Sequence, residues 1–241
     1  MAHHPISAVF REKERIGKLS QIRELVFGAQ DGLLVPLGVI SSVAGAFNNN
    51  HIVIIAGVSE ALAGAFSMAT GAYLSSQAER QVYEAEIVKE TDEIHRDLGK
   101  EKEELKMILE KDGMGARDAQ TIADIMAKNV KTFIRTMINL ELGIDPDPAG
   151  SPITDAMFVG LSYFLSAMVP LAPYFFETGQ PAILTSITLT LIALFGIGVL
   201  KAKVAHLSTM KSGLEVLAIG AGAGIGGYFL GTLLPKIFHL E

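Results

Sequence analysis

Apolar residues gather along this chain in five long stretches, and one polar segment separates the second stretch from the third. Residues 32–59, 61–78, 156–176, 178–200 and 216–235 contain no Asp, Glu, Lys or Arg. A helix that crosses a bilayer needs about 20 mostly apolar residues. The pattern therefore predicts five spans, near 25–47, 52–76, 154–176, 181–200 and 214–234. Asn48-Asn49-Asn50-His51 divides the first two, because such a polar run favours a turn over a helix. Residues 1–24 are polar, and the apolar stretch after them is too long for the core of a cleavable signal peptide, so the first span is expected to stay in the protein.

The segment between the second and third spans reads differently. Residues 77–111 contain neither Gly nor Pro apart from Gly99 and are rich in Glu, Lys, Ala and Leu, which predicts that the second span continues beyond the membrane as one long helix. Gly113-Met114-Gly115 ends that helix, and two shorter ones are expected at 116–127 and 129–142. Asp145-Pro146-Asp147-Pro148-Ala149-Gly150 then forms a linker. The expected fold is an all-α membrane protein with five transmembrane helices and a cytoplasmic three-helix domain inserted between the second and third. Its divisions are 1–76, 77–150 and 151–241.

Charge sharpens this division. The chain is 49% hydrophobic and 19% charged, with a formal net charge of −6. Residues 77–150 hold 17 acidic and 11 basic residues, and 11 − 17 equals the net charge of the whole chain. The acidity therefore lies in the insert and the rest is neutral, which makes nucleic acid a poor partner. Arg11, Lys13, Arg15, Lys18 and Arg23 precede the first span, and Lys201, Lys203 and Lys211 lie between the fourth and fifth, whereas the turns at 48–51 and 177–180 carry no Lys or Arg. This bias predicts a cytoplasmic N-terminus, with 77–150 and 201–213 on the same side. The absence of cysteine excludes disulfides, thiolate metal sites and thiol catalysis, so a metal would have to use carboxylate, His or Met.

At 100° per residue, Glu86, Glu90, Glu93, Asp97, Glu101 and Glu104 fall within roughly 80° of one another on a single helix, a stripe about 27 Å long. A solvated charged face is the ordinary reading, and Lys89, Arg96 and Lys100 lie close enough to neutralise part of it. Unbroken like charge at i,i+4 is nevertheless unfavourable, and bound cations would relieve it. Met137 and Glu141 share one face of the last short helix. Asp92-x-x-His95 lacks the second such pair that a di-iron bundle needs, so a ferritin-like oxidase site is disfavoured.

Asp31 and Glu60 fall inside the spans, where a charged side chain costs about 2.5–3.5 kcal/mol even on the lenient insertion scale. Each is thus a candidate functional residue, against the plainer reading of a hydrogen bond that packs two helices. Glu60, Gly64, Met68 and Gly71 lie along one helix face, and Pro36 is expected to kink the first span near Asp31. The run Gly222-Ala-Gly224-Ile-Gly226-Gly227 matches a dinucleotide-binding pattern but sits inside an apolar span with no preceding strand, which favours helix packing.

Asp31-Gly-Leu-Leu-Val-Pro36, the run from Ser59-Glu60 through Met68 and Gly71 to Ser76, and the acidic insert together resemble the vacuolar iron transporter family over about residues 23–235. The resemblance implies a homodimer of five-span subunits that exchanges Fe²⁺, and often Mn²⁺, for protons and moves metal out of the cytosol. It implies pathway residues Asp31, Glu60 and Met68, and a cytosolic metal-binding set of Glu90, Glu93, Glu101, Glu104, Met137 and Glu141. A vacuolar membrane and a prokaryotic plasma membrane both fit, and no covalent cofactor is expected. The rival reading is a membrane-anchored metal buffer or sensor. An enzyme is disfavoured, because the sequence offers no nucleophile and base set.

Overall fold

The computed structural model describes residues 5–47, 49–145 and 151–238, and every regular element among them is helical. The helices are α1 (Pro5–Ala46), α2 (Asn50–Arg96), α3 (Leu98–Lys111), α4 (Ala116–Met126), α5 (Val130–Leu140), α6 (Pro152–Leu171), α7 (Gln180–Val204) and α8 (Thr209–Phe238), with a 3₁₀ turn at Ala172–Phe175. They form two compact units, Met1–Leu74 with Gly150–Glu241, and Ser75–Ala149.

Among the described residues, Gln21–Ala46, Asn50–Arg96, Pro152–Phe175, Gln180–Val204 and Thr209–Leu233 are long and apolar enough to cross a membrane. These are the five spans that the charge-free stretches predict. The first unit leaves many large apolar side chains outside, with Phe66 77% exposed and Ile55 67%, while Leu37, Ile40, Ala61 and Ala167 are fully buried. Water would penalise such a surface, whereas a hydrocarbon solvent does not.

Without a hydrophobic drive between helices, close backbone approach provides the contact energy. A Cβ at Gly227 would lie 2.9 Å from the Cα of Gly38, and Gly220 and Gly224 pack against Leu194 and Leu37. The glycine run in α8 is therefore a packing stripe in part, although Gly222 and Gly226 have open space around them. α1 continues through Pro36 as one helix. Of the predicted polar turn, Asn48 lies outside the described residues. Asn50 anchors the start of α2 by donating from Nδ2 to the carbonyls of Tyr174 (2.8 Å) and Glu177 (2.6 Å).

The second unit corrects one expectation. The predicted helix through 77–111 breaks at Asp97, whose backbone leaves the helical region (φ −146°, ψ 74°). Its side chain accepts from the Lys100 backbone N–H at 3.1 Å, so Asp97 caps α3 and is not a member of a continuous stripe. Short acidic side chains stabilise helix N-termini by satisfying an orphan N–H, and here that preference outweighs helix continuation. The six-carboxylate line along one straight helix does not exist. The turn after α3 uses Gly113 at φ +99°, a conformation that favours glycine, and Asn129 caps α5 by accepting from the Thr132 N–H at 3.1 Å. Ile94, Leu105, Ala123, Phe133 and Met137 form the core of this unit. The predicted linker at 146–150 lies outside the described residues.

Candidate functional site

In the first unit the site forms around Glu60. Tyr163, midway along α6, donates from Oη to Glu60 Oε1 at 2.5 Å. The other carboxylate oxygen, Oε2, is buried and has no hydrogen-bond partner. A phenol buried in an apolar helix must place its hydroxyl on an acceptor, and the neighbouring helices are shaped to let it do so. Gly64, one turn beyond Glu60, leaves room for the ring: a Cβ there would come within 2.6 Å of two ring carbons. Gly32 on α1 packs equally closely, with a Cβ placed 2.8 Å from the Tyr163 Cα.

The three residues singled out within the spans are arranged around this tyrosine to different degrees. Glu60 bonds it directly. Met68 packs against the buried cluster of Ala61, Tyr163 and Ala167. Asp31 is half-buried and immediately precedes Gly32, the residue that packs on the Tyr163 backbone, and no hydrogen bond joins it to Glu60 among the described residues. Gly71, predicted on the same face of α2, has nothing near it. Tyr163 was not among the residues that sequence reasoning selected. Its signal was a tyrosine at the middle of a span, remote from the interfacial zone where that residue normally sits.

In the second unit, Glu90 of α2, Glu101 of α3 and Glu141 at the end of α5 each bring one carboxylate oxygen within 4.8 Å of the others. Glu90 and Glu101 are buried and Glu141 is exposed. Glu90 Oε1 and Glu101 Oε2 are buried without a hydrogen-bond partner. Glu90 lies beyond the charge-free part of α2. Burial, followed by the negative charges of Glu141, Glu101, Glu93 and Glu104, pushes its carboxyl up to about 7. Burial and Glu104 raise the Glu101 carboxyl, with Lys100 opposing, and burial with Glu104 and Glu93 raises that of Glu141. Lys100 supplies compensation through ion pairs to Glu104 (3.0 Å) and Glu101 (3.8 Å).

The other predicted ligands lie around these three. Glu93 and Glu104 are close enough for their charges to act on Glu90. Met137 is fully buried in the core, one turn before Glu141, whose N–H bonds the Met137 carbonyl at 2.8 Å. Glu86 instead pairs with Lys89 at 3.8 Å, and His95 is exposed, its Nδ1 2.7 Å from the Thr91 carbonyl oxygen. Buried oxygens with raised proton affinity and no donor are what an oxygen-seeking divalent cation would complete.

Known proteins resemble this chain over most of its length. A family profile described as "VIT family" matches residues 22–232. The vacuolar iron transporter 1 of Oryza sativa subsp. japonica is 33% identical over 209 residues, covering 86% of this chain and 82% of its own. The vacuolar iron transporter 1 of Tulipa gesneriana is 29% identical over 227 residues, 94% and 92% of the two chains. The vacuolar iron transporter of Toxoplasma gondii is 30% identical over 230 residues, 90% and 75% of the two chains. With one profile spanning both the membrane helices and the acidic insert, and relatives aligned over most of their length, the chain belongs to the VIT family.

Proposed function

We propose that the chain is a divalent transition-metal/proton antiporter that moves Fe²⁺, and also Mn²⁺, out of the cytosol, into a vacuole or out of the cell. Members of this family are transporters and not enzymes, and the names of the relatives favour iron as the substrate. The observation that carries the reading is the Glu60 carboxylate, held inside a span with one oxygen buried and unpaired. A membrane anchor has no use for such a group, whereas a carrier that must hold and release a cation does.

In this reading the cytoplasmic insert, 77–150, captures metal with Glu90, Glu93, Glu101, Glu104, Met137 and Glu141. The ion then passes to Asp31 and Met68, near the axis of a homodimer, and leaves past Glu60. Asp31 supplies charge, and the Met68 thioether favours transition metals over Mg²⁺ and Ca²⁺. A proton replaces the ion on the return step, because a bare carboxylate inside the bilayer is costly. The Glu90, Glu101 and Glu141 cluster by itself also suits a membrane-anchored buffer or sensor. Uptake into sealed proteoliposomes under an imposed pH gradient, comparing Fe²⁺, Mn²⁺, Co²⁺ and Zn²⁺, separates the two. Metal accumulation that follows the gradient supports the antiporter, and binding without accumulation leaves the buffer.

A further inference from the structure

We propose that Tyr163 is a positioning residue that caps one oxygen of the Glu60 carboxylate, so that a passing cation meets only the other oxygen and is held weakly enough to leave. The proposal rests on the transport reading above and concerns how Glu60 performs in it. A carboxylate offers a cation two oxygens, and chelation by both holds the ion longer than contact with one. In a pathway, binding must be strong enough to admit the ion and weak enough to release it. Here the two oxygens of Glu60 are made unequal. Oε1 accepts the 2.5 Å hydrogen bond from Tyr163, while Oε2 is buried without a partner.

The packing around the ring indicates that this inequality is built in. Gly64 on α2 and Gly32 on α1 each leave out the Cβ that would collide with Tyr163. Glu60 and Gly64 are one turn apart, so the helix that carries the carboxylate also carries the space for the ring that restrains it. Tyr163 is 2% exposed, so the packing around its ring fixes where its hydroxyl stands. Met68 packs against the same cluster, so a soft side chain adjoins the residue that restrains the carboxylate.

The competing account makes the bond a helix-packing contact only. Only the positioning account predicts a lower Michaelis constant when the hydroxyl is removed. Tyr163→Phe keeps the ring and its packing but frees Oε1 for the cation. Initial rates of Fe²⁺ uptake into proteoliposomes should show KM falling about tenfold, the size of a lost hydrogen bond to a charged group, with maximal rate falling by a similar factor as release slows. Site-specific replacement of Tyr163 by 3-fluorotyrosine strengthens the donor at unchanged shape, and should raise KM; it also serves as the test if the Phe variant does not fold. An unchanged or raised KM in Tyr163→Phe, or an unchanged or lowered KM with fluorotyrosine, overturns the proposal. Absence of transport by the unmodified protein instead overturns the antiporter reading beneath it.

Discussion

Glu90 and Glu101 are eleven positions apart in the chain, yet each presents a carboxylate oxygen within 4.8 Å of one from the other. In an unbroken helix eleven residues rise about 16 Å, so the two groups could not share an ion. The break at Asp97 makes the meeting possible, by ending α2 at Arg96 and starting α3 at Leu98. Asp97 thus contributes to the cluster without belonging to it.

Removing this cap should weaken ion binding while leaving every proposed ligand in place. Asp97→Ala loses about 1 kcal/mol of N-cap stabilisation and favours continuation of α2. Calorimetric titration with Mn²⁺ should show weaker binding or fewer ions, with helix content by circular dichroism unchanged or higher. A titration identical to that of the unmodified protein would mean that the carboxylates meet regardless of the cap.

The metal-free cluster should be more stable in acid. A carboxyl whose folded-state value is raised favours the folded state while protonated and loses that advantage as it ionises. For Glu90 the stability is fully present below 4.5 and is lost as pH rises through about 7. Hydrogen exchange of α3 and α5 amides in the presence of a chelator should therefore show less protection at pH 8 than at pH 5, and Glu90→Gln should flatten the difference. Divalent metal should act in the other direction, binding more tightly as pH rises, since its ligands must be deprotonated.

Replacing Glu101 and Glu104 together by Ala should lower the number of ions bound per chain. Glu101 is one of the three converging carboxylates, and Glu104 contributes charge to the same place. If the ion count stays the same, Glu101 and Glu104 hold no ion and serve only as partners of Lys100.

Within the membrane, Asp31→Asn should abolish proton-driven metal uptake, by about a hundredfold or more if a charged contact of about 3 kcal/mol is lost. The ions bound by 77–150 should remain. Met68→Leu keeps volume and packing but removes the soft ligand, so transition-metal transport should weaken while the protein stays folded. Full coupled transport by Asp31→Asn would reduce that residue to a packing role.

Topology is directly accessible, because the chain contains no cysteine. Single cysteines at Asn49 and Lys203 should label from opposite sides of intact membranes, as the placement of Lys and Arg requires. Labelling of both from one side would reverse that assignment.

The number and position of the spans were legible in the sequence because they depend on one-dimensional quantities: length without charge, and where basic residues stop. The locations of Asp31, Glu60 and Met68 within spans follow from the same count. Helix periodicity likewise marked Glu90, Glu93, Glu101 and Glu104 as an unusual acidic set. Periodicity assumes a straight helix, however, and therefore arranged them in a line; a single cap at Asp97 folds that line so that Glu90, Glu101 and Glu141 converge. The pairing of Tyr163 with Glu60 was not legible for a related reason. The tyrosine's partner is 103 positions away, the space for its ring is created by Gly64 on α2, and Gly32 on α1 admits its backbone. Local pattern sets which residues are costly where they stand, but only the packing of helices distant in sequence decides which neighbour relieves that cost and which oxygen is left free.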